Sequence, residues 1–128
     1  MEYTTSSIIK VCDPTVSYIM CMYIPPGLLM ELFVSVRHHI VEILDHFLCV
    51  TPDAKLYVCG DLNRYDFSFL TRDFNLSNIV NIPTFRDTTL DKFFCDSSEL
   101  FSVKSAPPLG CAVNLHNVIF ISRHDKFL

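Results

Sequence analysis

Tyr57-Val58-Cys59-Gly60-Asp61-Leu62-Asn63 runs an apolar strand into a glycine and then sets a carboxylate and a carboxamide at alternate positions. In extended backbone, residues two apart point to the same side. Asp61 and Asn63 could then reach one metal-bound phosphate, the acid as ligand and the amide as hydrogen-bond donor. A second reading is a turn in which both side chains cap the following segment. Spacing alone favours the turn.

Working outward, Val16 to Ile24 is a β-branched and aromatic run that stops at Pro25-Pro26-Gly27, which predicts a buried strand. From Leu28 to about Cys49 the period becomes helical. Leu29, Phe33, Val36, Ile40, Leu44 and Phe47 share one apolar face, and Thr51-Pro52-Asp53 ends the helix. Lys55 to Cys59 is the next strand. Strand, helix, strand in this order predicts a crossover unit on a largely buried sheet, hence an α/β fold. Leu62 to Ile82 reads as irregular or weakly helical. Leu90 to Cys95, Phe101 to Ser105 and Asn117 to Ser122 are short strand candidates, the last two separated by Pro107-Pro108-Leu109-Gly110. With no repeat, linker or low-complexity tract, residues 1–128 read as a single domain.

Half of the 128 residues are hydrophobic and 19% are charged, which leaves apolar surface to spare beyond one core. The net charge is −4 and no block of Lys and Arg stands out, which counts against a stand-alone DNA binder. It does not exclude a phosphate held through a divalent metal, because such sites need carboxylates. Cys12, Cys21, Cys49, Cys59, Cys95 and Cys111 form no C-x-x-C pair, which argues against paired-cysteine zinc. Their apolar neighbours predict small buried thiols in a reducing compartment. The first ten residues lack a signal-peptide pattern, and the segment after Pro26 carries Glu31, Arg37, His38, His39, Glu42, Asp45 and His46, which a bilayer tolerates badly. An intracellular chain that does not span a membrane is expected.

His38, Glu42, Asp45 and His46 share a helix stripe with metal-ligand spacing, but a solvated polar face explains them, and His39, better. His124 sits in a polar C-terminal stretch and is expected to be exposed. Arg86 could contact a phosphate or pair with Asp87. Tyr65, Phe67, Phe69 and Phe74 could stack on bases, though packing of a loop onto the sheet is the better reading. No nucleotide-binding glycine motif and no G-x-S-x-G elbow is present.

Four segments together resemble the endonuclease/exonuclease/phosphatase superfamily, in particular the endonuclease domain of non-LTR retrotransposons. Gly60-Asp61-Leu62-Asn63 resembles its G-D-[LF]-N motif, and Tyr23-Ile24-Pro25-Pro26-Gly27 its Y-x-P-P-G strand end. Pro83-Thr84-Phe85-Arg86-Asp87-Thr88-Thr89-Leu90-Asp91 resembles its P-T-x6-D segment. Pro107-Pro108-Leu109-Gly110 followed by His116-Asn117-Val118-Ile119 resembles its P-P-L-G-x-S-D-H ending. They stand in the family's order from about Val16 to the last strand.

The resemblance implies the later half of a two-sheet, helix-flanked fold: a partial α/β sandwich, N-terminally truncated relative to the family. It implies that Asp61 and Asn63 act at the scissile phosphate, Asp61 as metal ligand and Asn63 with Arg86 on the phosphate. Asp91 would hold a catalytic His116, with Mg²⁺ or Mn²⁺ as cofactor and DNA as substrate. The P-T-x6-D and P-P-L-G segments favour the retrotransposon branch over phosphatases.

Two departures shape the expectation of activity. The family's early Asn and metal-binding Glu have no counterpart, since Glu2 lacks the context and Glu31 lies in the helix. Five residues separate Gly110 from His116, two more than the family has, and Leu115 stands where an Asp precedes the histidine. A metal-dependent phosphodiesterase that is weak or inactive in this form is therefore expected, completed by a separate N-terminal half or a homodimer partner. The alternative is a non-catalytic remnant serving as a binding or assembly module.

Overall fold

The computed structural model describes residues 4–12, 14–110 and 115–124. Strands β1 (Thr5–Cys12) and β2 (Val16–Tyr23) form an antiparallel pair, followed by helix α1 (Met30–Val50) and strand β3 (Lys55–Asp61). Helix α2 (Ser68–Phe74), a two-residue strand β4 (Ser77–Asn78) and β5 (Asp91–Cys95) come next. A 3-10 turn at Ser98–Leu100 leads into β6 (Phe101–Ala106), which pairs with β7 (Val118–Arg123). The larger sheet has the order β1-β2-β3-β5-β4, and β6-β7 forms a second, two-stranded sheet. This is an α/β fold, a partial sandwich of a mixed sheet, a short second sheet and helices.

The crossover predicted from periodicity is present, because β2 and β3 are parallel neighbours joined through α1. Alternation along the strands sorts side chains between two faces. Tyr18, Met20 and Met22 of β2, Leu56 and Val58 of β3, and Phe94 of β5 are buried against Phe33, Ile40 and Leu44 of α1. Tyr18 stacks on Phe47 with ring centroids 4.0 Å apart. Phe67, Phe69, Leu70 and Leu76 complete this core, so the aromatics after Asn63 pack rather than project, with Tyr65 and Phe74 partly buried against it. Leu29 departs from the predicted apolar face: it precedes the helix as its cap and stays 63% exposed. His38, His39, Glu42, Asp45 and His46 are all exposed, as a solvated face requires, and His124 is exposed as well.

The other sheet face carries Cys21, Tyr57, Cys59, Asp61, Asp91 and Phe93, by the same alternation and register. The β6-β7 hairpin covers part of it through Phe101, whose ring lies 6.0 Å from Tyr57 and 5.9 Å from Phe93. Beyond the hairpin the face is open, and all eight residues of β1 are exposed. The sequence offered no strand at Thr5–Cys12, because its burial pattern does not alternate; pairing with β2 alone makes it a strand. The expectation of buried thiols is corrected here. Among the described residues only Cys95 is buried, while Cys12, Cys21 and Cys49 are exposed, since the first two lie on the uncovered strands and Cys49 on the outer side of α1. Cys111 lies outside the described residues. No helix among the described residues is long and apolar enough to cross a membrane.

Gly60 fixes the close approach of β3 to β2. Its φ is +127°, and a Cβ there would sit 1.9 Å from the Met22 carbonyl oxygen. Backbone cannot yield by that much without losing the β2-β3 ladder. Gly60→Ala is expected to destabilise by roughly 4 kcal/mol or more, the range reserved for disrupted backbone. Urea unfolding checks this; a midpoint within error of wild type would contradict it.

Candidate active site: an Asp-Asp-His cluster

Antiparallel pairing sets Asp61, the last residue of β3, directly opposite Asp91, the first of β5. Two carboxylates facing each other across a ladder repel. His116, just before β7, lies against both. Its Nδ1 is 2.6 Å from Asp91 Oδ2, a hydrogen bond, and its Nε2 is 3.7 Å from Asp61 Oδ2. A neutral imidazole donating through Nδ1 leaves the Nε2 lone pair toward Asp61; a protonated one offers a donor to each acid. One ligand atom from each of Asp61, Asp91 and His116 lies within 4.8 Å of the others. All three side chains are partly buried.

Each residue is held from its backbone. The Asp61 carbonyl accepts from Ile24 N–H, and Leu62 N–H donates to the Leu90 carbonyl, both at 3.0 Å, so the end of β3 is clamped on two sides. Fully buried Thr84 does the same for the other two residues. Its Oγ1 accepts from Leu90 N–H at 2.9 Å and Asp91 N–H at 3.1 Å, and its carbonyl accepts from Asn117 N–H at 2.7 Å. The Thr84 loop is closed by a tight turn at Phe85–Thr88 with Arg86 at φ +53°. The Phe85 ring packs 5.0 Å from the His116 ring. Thr84 stood in the sequence inside the P-T segment with no assigned task, and no spacing in the sequence singled it out.

Asn63 is not in the extended backbone that would have aimed it alongside Asp61. Its φ is +52°, its N–H donates to Asp61 Oδ1 at 3.2 Å, and its carboxamide donates to the Ile24 carbonyl. This is the turn geometry that spacing alone favoured. Lys92 adds a bond from its ammonium to the Asn63 carbonyl at 3.1 Å, and burial lowers its pKa. The Arg86 guanidinium lies over its neighbour Phe85, 5.2 Å from the ring centroid, on the exposed side of the turn. A groove of about 370 Å³, lined by Pro26, Gly27, Asn63, Arg64, Tyr65, Phe85 and Leu90, runs beside the cluster. Tyr65 pins its rim, donating to the Pro25 carbonyl and accepting from Leu28 N–H.

Burial raises the pKa of Asp61, and the nearby Asp91 adds to that, while the Asn63 N–H and His116 act in the opposite direction. Glu31 is exposed in the first turn of α1, away from the cluster, and Glu2 lies outside the described residues. Leu115 is partly buried, and residues 111–114 of the loop before His116 lie outside the described residues. No protein-family model, curated protein or solved structure matches the chain.

Thr84→Val keeps shape but leaves two N–H groups, one buried and one partly buried, without an acceptor. It is expected to cost about 1–3 kcal/mol per orphaned donor, read by chemical denaturation; a neutral effect would show that the bonds matter little. Asp61 gives a prediction with a definite sign. Because its pKa is raised above 3.8 in the folded chain, ionised Asp61 costs stability above the raised value. That cost fades as pH falls through the folded pKa and is absent below 3.8. Asp61→Asn should therefore raise the melting midpoint at neutral pH and lose that gain in acid. A lower midpoint at neutral pH would contradict this.

Proposed function

We propose that the chain is a divalent-metal-dependent phosphodiesterase of the endonuclease/exonuclease/phosphatase type, related to the endonucleases of non-LTR retrotransposons and acting on DNA. The observation that supports this is the convergence of Asp61, Asp91 and His116, drawn from three separate segments, within 4.8 Å. Opposed carboxylates in a partly buried position are unfavourable without a cation, and the His116 imidazole lies against both of them. The donor set fits a hard divalent ion. Mg²⁺ takes one or two carboxylates and fills its shell with water and phosphate, and Mn²⁺ accepts imidazole besides.

A bound Mg²⁺ or Mn²⁺ would supply Lewis-acid polarisation of the phosphoryl group and of water. Asp61 is the carboxylate assigned to hold it. Asp91 fixes the His116 tautomer through the 2.6 Å bond and steadies positive charge on the ring. Nε2 of His116 would accept the proton of the water whose oxygen bonds to phosphorus, and would return it to the leaving oxygen as the ester P–O bond breaks. Asn63 and Arg86 are assigned to the phosphate, Asn63 through the second hydrogen of its carboxamide. The groove beside Phe85 would take the nucleotide flanking the scissile bond.

A second reading rests on a different observation. The wholly exposed β1 and the open half of the sheet face suit a chain that assembles with a partner, a second copy or a separate N-terminal half. In that case the cluster is a remnant.

Nicking of supercoiled plasmid in Mg²⁺ and in Mn²⁺ tests the first reading. Slow nicking is expected, falling about 10²–10⁴-fold in His116→Ala and at least as far in Asp61→Ala, with circular dichroism showing both variants folded. Nicking that survives both substitutions, or none in either metal, would turn the account to the assembly reading.

A further inference from the structure

We infer that Cys21 and Cys59 form a two-thiol site for a soft, thiophilic d¹⁰ cation on the open inner face of the larger sheet. Cys21 of β2 and Cys59 of β3 are register partners on parallel strands, so their side chains leave the same face side by side. The two thiols share the wall of a gap of about 250 Å³ between the two sheets, which Phe93, Ile119 and Ile121 also line. Cys21 is exposed to solvent and Cys59 partly so, which gives an ion a route in.

In-register neighbours on adjacent strands stand about 4.8 Å apart. Two thiols carried at that spacing can share one ion, because a metal–sulfur bond of about 2.3 Å lets two sulfurs sit roughly 3.8 Å apart around a tetrahedral centre. The same spacing falls inside the Cα range of about 4.4–6.8 Å that a disulfide accepts, so the oxidised pair is the competing outcome and the reduced chain is the form to test. Two S–H bonds lose their protons to water and two metal–sulfur bonds form, with no change of oxidation state. Thiolates select soft ions, so the site differs in kind from the oxygen-rich cluster two residues further along β3. The inference does not depend on the phosphodiesterase reading.

Titration of the reduced chain with Cd²⁺, followed by its thiolate-to-metal absorption band, tests the site. Carboxylates and imidazole give no such band, so binding at the Asp-Asp-His cluster cannot mimic it. A band that saturates at one Cd²⁺ per chain is expected. It should vanish in Cys21→Ser and in Cys59→Ser and persist in Cys12→Ser and Cys49→Ser. Cys21 is exposed, so Cys21→Ser carries the test even if Cys59→Ser folds poorly. Absence of the band in wild type, its persistence in Cys21→Ser, or a Cys21–Cys59 disulfide found by peptide mapping in place of Cd²⁺ binding would overturn the inference.

Discussion

The placement of Asp61 directly across from Asp91 is the constraint on which the candidate site depends. It is a matter of register, and register has no half measures: a slip of one residue in β3 or β5 would send a carboxylate to the opposite face. Several local features hold it. Gly60 permits β3 to lie close against the Met22 carbonyl. The hydrogen bonds from Ile24 to Asp61 and from Leu62 to Leu90 extend the clamp past the strand ends. Thr84, fully buried, fastens the first residue of β5 and the residue after His116 to one loop. The repulsion of two adjacent acids is thereby imposed by the backbone, and a cation relieves it.

The two faces of the larger sheet have different tasks. One is closed by α1, α2 and the segment after it, and supplies the buried cluster that includes Met20, Ile40, Leu44, Val58 and Leu70. The other bears Asp61, Asp91, Cys21 and Cys59, and the β6-β7 hairpin covers it only in part. The same incompleteness that leaves β1 exposed also leaves the cysteine pair and the cluster approachable. Apolar residues exceed what one core can use, as composition suggested, and Ile8, Ile9 and Val11 on β1 hold part of the excess at the surface.

Elements with a buried face were legible in the sequence. β2, α1 and β3 announced themselves because burial on one side writes a period of two or of 3.6 into the residues. β1 was not legible, since a strand exposed on both sides carries no such pattern; its eight backbone pairings with β2 are a tertiary fact. The Asp61–His116 proximity was equally hidden in spacing alone, because 54 residues of fold intervene, and only the resemblance of the surrounding segments suggested it. Asn63 shows the opposite case. Its local environment, a turn after glycine, correctly predicted a capping geometry that the extended-strand argument missed. The thiols were misjudged because neighbours in sequence report the strand, not which of its faces is covered.

Anomalous diffraction from crystals soaked in Mn²⁺ tests the central claim most directly, since it locates the ion without requiring turnover. The account predicts a peak within coordination distance of the Asp61 carboxylate, with the Asp91–His116 bond retained and Nε2 of His116 left off the ion. A saturating soak that leaves this position empty, with the imidazole still bridging the two acids, would contradict it and leave the cluster as an ion-paired clasp between strands.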